Sequence, residues 1–142
     1  AESTFTLIDD SYNANPDSMK AAFAAAQEMA NPGARILMVL GEMLELGDES
    51  EQIHSEVGDH ALAVSPALLI QLGEGALYVE AESDTPTKVV SVQGPVEAHR
   101  ILVKNLREGD VVLIKGSNGS QSWKVADLLV EAESVVDLED AE

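Results

Sequence analysis

Five short apolar runs punctuate the chain, "TFTLI", "ARILMVL", "ALLIQL", "TKVVSV" and "DVVLI", and each reads as a buried β-strand. Between them, apolar positions recur at helical spacing. In the first such stretch Met19, Phe23, Ala26 and Ala30 share a face, Asn15 and Pro16 suit the N-cap and first helical position, and "NPG" ends the helix. The second is expected from about Asp48, with Glu51 placed for a capping box and Ile53, Val57, Ala61 and Val64 as its buried stripe. A shorter helix is expected over Gly75 to Ala81. The next runs from Pro95 to Leu106 and buries Ala98, Ile101 and Leu102. The last runs from Gln121 to about Glu133 and buries Val125, Leu128, Leu129 and Ala132.

Strand and helix therefore alternate, which predicts right-handed crossovers and an α/β fold. The expected form is a Rossmann-like, doubly wound, mostly parallel sheet of five to six strands with helices on both faces. One domain over residues 1–136 is expected, with residues 137–142 an acidic, frayed tail. Internal repeats, linkers and low-complexity segments are absent from the sequence. In such sheets ligands lie beyond the carboxyl ends of the strands, so the loops to inspect are "DDSYNANP", "GEMLELGDES", "GEGA", "QGP" and "KGSNGSQS".

Charge and composition narrow the chemistry. The chain has 26 acids against 8 bases, a formal charge of -18, which repels nucleic-acid phosphates and anionic lipid. The plain reading of that charge is solubility or a salt-adapted surface. No run approaches the roughly 20 apolar residues of a membrane helix, and the N-terminus lacks a signal-peptide pattern, so a soluble cytoplasmic protein is expected. With no cysteine, disulfides and thiolate zinc are excluded, and three scattered histidines offer no metal-ligand spacing.

Three loops carry candidate chemistry. Asp9 and Asp10 end the first strand, where paired carboxylates would hold a cation, accept from a ribose hydroxyl or serve as a base; alternatively one caps the loop and the other is solvated. Asn13 and Asn15 both donate and accept, which suits an amide-containing ligand, while Asn15 also serves as helix cap. Tyr12 offers a flat face and a hydroxyl, or packs on the loop. In "KGSNGSQS", Lys115 leads into glycines and hydroxyls before a helix, so backbone N–H groups would receive a carboxylate or phosphate. Walker spacing is lacking there, and no dinucleotide glycine motif follows the first strand. In the third loop Glu42 and Glu45 face one rim, and Met43, Leu44 and Leu46 either fold back on the core or meet a covering partner. His54 reads as a polar flank or supporting donor, His60 and His99 as structural, and Trp123 as a packing residue.

An acidic pair after the first strand and Lys115 after the last are also the marks of a response-regulator receiver. A receiver needs a phosphoacceptor aspartate after its third strand, where this chain has Gln71 and Gly73. That signalling reading, like an unspecialised flavodoxin-like interaction domain, leaves the loops unexplained.

Taken together, "LIDDSYNANPDSM", "LGEMLELGDESEQIHSEVG" and "VLIKGSNGS" closely resemble the C-terminal domain of the Mur ligase family, in the branch that adds D-alanyl-D-alanine. The resemblance spans nearly the whole chain and only the last of that family's three domains. It implies an ATP-dependent amide ligation in peptidoglycan precursor synthesis, with ATP and Mg2+ held mainly by a central domain. UDP-N-acetylmuramoyl-tripeptide would be activated there as an acyl phosphate and attacked by the amine of D-Ala-D-Ala. The C-terminal domain would hold the dipeptide and close over the reaction, which water would otherwise intercept. By the same resemblance Asp10 would accept from the ATP ribose or orient its loop and Asn13 would meet the nucleotide; Tyr12, Asn13 and Asn15 would line the acceptor site, Leu44 and its apolar neighbours would flank the alanine methyls or meet the central domain, and Lys115, Ser117, Asn118 and Gly119 would receive the dipeptide carboxylate. Many relatives have an arginine where this chain has Asn118. A chain of this length, without the other domains, is expected to have neither ATPase nor ligase activity.

Overall fold

The structure is a computed structural model that describes residues 5–10, 14–44, 46–73, 75, 77–80 and 83–130, with only the backbone described at residues 10 and 118. Its strands are β1 (Thr6–Asp10), β2 (Ile36–Gly41), β3 (Leu68–Leu72), β4 (Lys88–Val92) and β5 (Val111–Lys115). Its helices are α1 (Pro16–Met29), α2 (Ser50–Ala63), α3 (Pro95–Asn105) and α4 (residues 122–130). The five strands form one sheet in the order β1-β5-β2-β3-β4, and every pairing is parallel.

Strand composition follows from position in the sheet. β2, β3 and β5 are interior strands covered on both faces, and every one of their residues is buried, so their apolar runs are unbroken. β4 lies at an edge and is only partly covered, with Lys88 and Ser91 exposed. On one face Met38, Leu40, Leu69 and Leu113 pack with Met19 and Phe23 of α1 and Val57 and Ala61 of α2. On the other, Leu37, Val39, Ile70 and Ile114 pack with Ala98 and Leu102 of α3 and Val125 and Leu129 of α4. Successive strand residues thus feed opposite cores, as the period of two requires.

α1 begins where expected, and its cap is complete. The Ser18 N–H donates to Asn15 Oδ1 at 2.9 Å, and the Asn15 N–H donates to Ser18 Oγ at 3.1 Å, with Pro16 at the first helical position. α2 starts later than its acidic residues suggest. Gly47, at φ 70, opens a 3-10 turn over Gly47–Glu49, so Asp48 lies inside that turn; Glu49 occupies the N-cap without a side-chain bond, and the Asp48–Glu51 capping box does not form. Among the described residues of the stretch 75–81 there is no helix: residues 75 and 78–79 are bends, and buried Tyr78 and Val79 are held by side-chain hydrogen bonds instead. The sheet has five strands, the lower of the two counts expected.

At the amino edge Arg35 ties the sheet to α3. Its Nε and Nη2 donate to the two carboxylate oxygens of buried Asp110 at 3.1 and 2.7 Å, and Nη2 also donates to the Asn105 carbonyl. The opposite, carboxyl edge carries the loops.

Candidate functional site

At the carboxyl edge the register sets Asp10 beside Lys115 and Lys115 beside Leu40. The insertion of β5 between β1 and β2 therefore brings the carboxyl ends of the first and last strands together. Two glycines let the β2 and β5 ends approach: a Cβ at Gly116 would lie 2.8 Å from Gly41 Cα, and one at Gly41 would overlap Ser120 Oγ. Beyond them the two loops are hydrogen-bonded to each other. The Ser117 N–H donates to the Glu42 carbonyl at 3.2 Å, and the Leu44 N–H donates to Ser117 Oγ at 3.0 Å. Ser120 folds back, its hydroxyl donating to the Ser117 carbonyl at 2.6 Å.

The apolar loop after β2 divides its residues. Met43 is buried and Leu46 packs against the core, whereas Leu44 stays 41% exposed with its Cδ1 against Gly119. Met43 and Leu46 therefore fold back on the core, and Leu44 does not. Glu45 lies outside the described residues.

Two side chains hold this loop, His54, which sequence reasoning left in a supporting role, and Tyr78, which it did not single out. His54 is fully buried; its Nε2 accepts the Met43 N–H at 2.9 Å, and its Nδ1 lies 2.8 Å from the Ser50 carbonyl. A nitrogen that accepts from an amide is unprotonated and one that meets a carbonyl carries hydrogen, so His54 is the neutral Nδ1–H tautomer. The expectation of a polar flank is corrected, because His54 sits in the core with both nitrogens engaged. Tyr78 donates to the Gly41 carbonyl at 2.6 Å and meets the His54 ring edge-on, centroids 4.9 Å apart. Burial, and then the Glu42 carboxylate, push its hydroxyl far above the usual phenol range, so it remains a donor. Tyr78 has no sequence signal beyond being an aromatic residue in a segment of irregular pattern.

The other candidates sort as follows. Asn15 is exposed at the start of α1, its Oδ1 occupied by the cap, and among the described residues its side-chain NH2 has no partner. Lys115 is buried and already engaged in a polar interaction, so it forms part of the floor rather than a free surface cation. Ser117 joins the two loops, and Gly119 abuts Leu44. Residues 118 and 119 open the 3-10 turn Asn118–Ser120, where first-turn N–H groups lack intrahelical acceptors. Asp9 is exposed on the last turn of β1. Tyr12 and Asn13 lie outside the described residues. Trp123 is half-buried at the start of α4, with Lys124 Nζ 5.4 Å from its ring centroid.

Gln71 has a structural task. Its amide takes both backbone groups of Val79, accepting the N–H at 2.8 Å and donating to the carbonyl at 2.9 Å. The position where a receiver would carry its phosphoacceptor is thus a buried clamp, and the signalling alternative is set aside. Among the described residues no group of three or more acids or histidines is placed to hold a metal ion.

Fold and site together define a Rossmann-like domain, a doubly wound parallel sheet whose polar β2 and β5 loops meet at the carboxyl edge. Its residues 1–118 match the family described as "Mur ligase, glutamate ligase domain", and the chain belongs to that family. It is similar to UDP-N-acetylmuramoyl-tripeptide–D-alanyl-D-alanine ligase of Mycobacterium leprae, 37% identical over 142 residues that cover 88% of this chain and 28% of the relative. It is also similar to a crystal structure of MurF from Acinetobacter baumannii, at 26% identity and a TM-score of 0.71, covering 92% of this chain and 29% of that one. The fold recurs in MurF ligase from Thermotoga maritima in complex with ADP, at 24% identity and a TM-score of 0.69, covering 89% of this chain and 28% of that one. The chain thus spans little more than a quarter of these relatives' length. No helix among the described residues is long and apolar enough to cross a membrane.

Proposed function

We propose that the chain is the acceptor-substrate and closure domain of a cytoplasmic, ATP-dependent amide ligase that adds D-Ala-D-Ala to UDP-N-acetylmuramoyl-tripeptide in peptidoglycan precursor synthesis. The observation that carries this reading is the joining of the β2 and β5 loops by Ser117 at the carboxyl edge, in a chain whose relatives bear the name of that ligase. ATP would supply the activation of the tripeptide carboxyl group. Among the described residues no three acids or histidines are grouped to hold a metal ion, and the family resemblance assigns this chain only the Asp10 and Asn13 contacts to the nucleotide.

The work of this chain's own residues is binding and shielding. Small, charged D-Ala-D-Ala asks for donors toward its carboxylate and an apolar surface toward its methyl groups. The amides of residues 118 and 119 and the Ser117 hydroxyl supply the donors, above a floor that includes Lys115. Leu44, exposed against Gly119, supplies the apolar surface. Tyr12, Asn13 and the free NH2 of Asn15 would complete the rim toward the peptide amides. Closure of this edge over the reacting carboxyl group would exclude water, whose attack competes with that of the amine.

A backbone amide NMR titration tests this. D-Ala-D-Ala is expected to give saturable shifts at residues 10–16, 42–47 and 115–120, with L-Ala-L-Ala giving none. Asn118→Arg is expected to leave or tighten that affinity, since it adds a bidentate carboxylate partner. Equal responses to the two dipeptides, or shifts confined to the amino edge around Arg35, would remove the acceptor assignment.

A further inference from the structure

The chain between Gly41 and Leu44 is held by side chains from three other elements. The Gly41 carbonyl accepts from Tyr78, the Met43 N–H donates inward to His54 of α2, and the Leu44 N–H donates across to Ser117 after β5. The Met43 amide is thereby fixed toward α2 and the Leu44 amide toward the β5 loop. His54 is itself locked, its other nitrogen on the Ser50 carbonyl and its ring against Tyr78. The consequence at the surface is the placement of Leu44 over Gly119.

We propose that His54 is a positioning residue of the acceptor site: as a neutral acceptor for the Met43 N–H it holds the β2 loop at the height where Leu44 forms the apolar wall against which a dipeptide methyl group packs. This rests on the acceptor reading above and deepens it, because it names the side chain that sets the wall. His54 touches no substrate. It acts through two backbone amides, and a loop tied by fixed side chains loses little entropy when the ligand arrives.

The test uses the whole chain and two independent readouts. Imidazole 15N NMR of the unaltered chain should report the Nδ1–H tautomer; an Nε2–H or doubly protonated ring overturns the proposal at once. His54→Phe keeps a ring beside Tyr78 and removes the acceptor. It is expected to speed hydrogen exchange of the Leu44 amide and to weaken D-Ala-D-Ala binding about tenfold, the scale of a mispositioned binding group. His54→Gln, whose carbonyl can reach the Met43 N–H, should restore both. Should the Phe variant fail to fold, His54→Asn, too short to reach Met43, replaces it, with the same tenfold gap from Gln expected. Faster Leu44 exchange with unchanged dipeptide affinity would defeat the positioning role and leave the acceptor reading standing. Absence of D-Ala-D-Ala binding by the unaltered chain, with the Nδ1–H tautomer present, would instead defeat the acceptor reading and with it the role assigned to His54.

Discussion

Polar side chains inside this molecule act mainly on backbone groups. Gln71 clamps Val79, His54 holds Met43 and Tyr78 holds Gly41. Each would cost stability if left unpaired, so each appears where a loop needs fixing. His99 on α3 is the exception, since its Nε2 is buried with no hydrogen-bond partner among the described residues. Burial holds its pKa below the ordinary 6.5, so the unfolded chain binds a proton more readily than the folded one. The stability tied to His99 is therefore present above pH 6.5 and is lost as pH falls from there toward the lowered folded value. Between about pH 7.5 and about pH 5.5 the urea midpoint of the native chain is expected to fall more than that of His99→Leu. Parallel curves would count against it. At this scale the sequence announced the Asn15 cap. His54 escaped because its acceptor role depends on a loop amide 11 residues away, which no spacing rule supplies.

At the scale of elements, close approach overrides intrinsic preference. Gly58 lies inside α2, where alanine would ordinarily favour the helix by about 1 kcal/mol. Here a Cβ at Gly58 would run into the Tyr78 carbonyl, backbone that cannot swing aside. Gly58→Ala is expected to destabilise the chain by roughly 1–3 kcal/mol and to loosen the Tyr78–Gly41 bond, read as a lowered urea midpoint and a shifted Gly41 signal. A gain in stability would show that the approach relaxes freely. The helices α1 and α3 and all five strands were legible from periodicity, because their apolar residues must face a core at fixed intervals. The start of α2 was misjudged because Gly47 diverts the chain into a 3-10 turn. The helix expected over Gly75 to Ala81 gave way to a segment held by Gln71 and Tyr78, where tertiary bonds outbid local preference.

Over the whole molecule the net charge of -18 opposes compactness through self-repulsion. Raising salt from about 0.01 M to about 0.15 M shortens the Debye length from about 30 Å to about 8 Å, and Tm is expected to rise. A flat or falling Tm over that range would mean that attractive pairs such as Arg35–Asp110 outweigh the repulsion. The same charge leaves the proposed acceptor edge dependent on backbone donors, since the one lysine there is buried.

By itself the sequence determined the alternation of strand and helix, the parallel class of sheet and the loops that follow the strands at their carboxyl ends, because burial imposes a period that apolar residues obey locally. Its motifs carried the resemblance to Mur ligases. Tertiary structure decided what needs distant residues at once: the placement of β5 between β1 and β2, the joining of Glu42 and Leu44 to Ser117, the burial of Lys115 and the tautomer of His54. Each depends on a donor and an acceptor far apart in the chain, and only the folded sheet brings them within hydrogen-bonding distance.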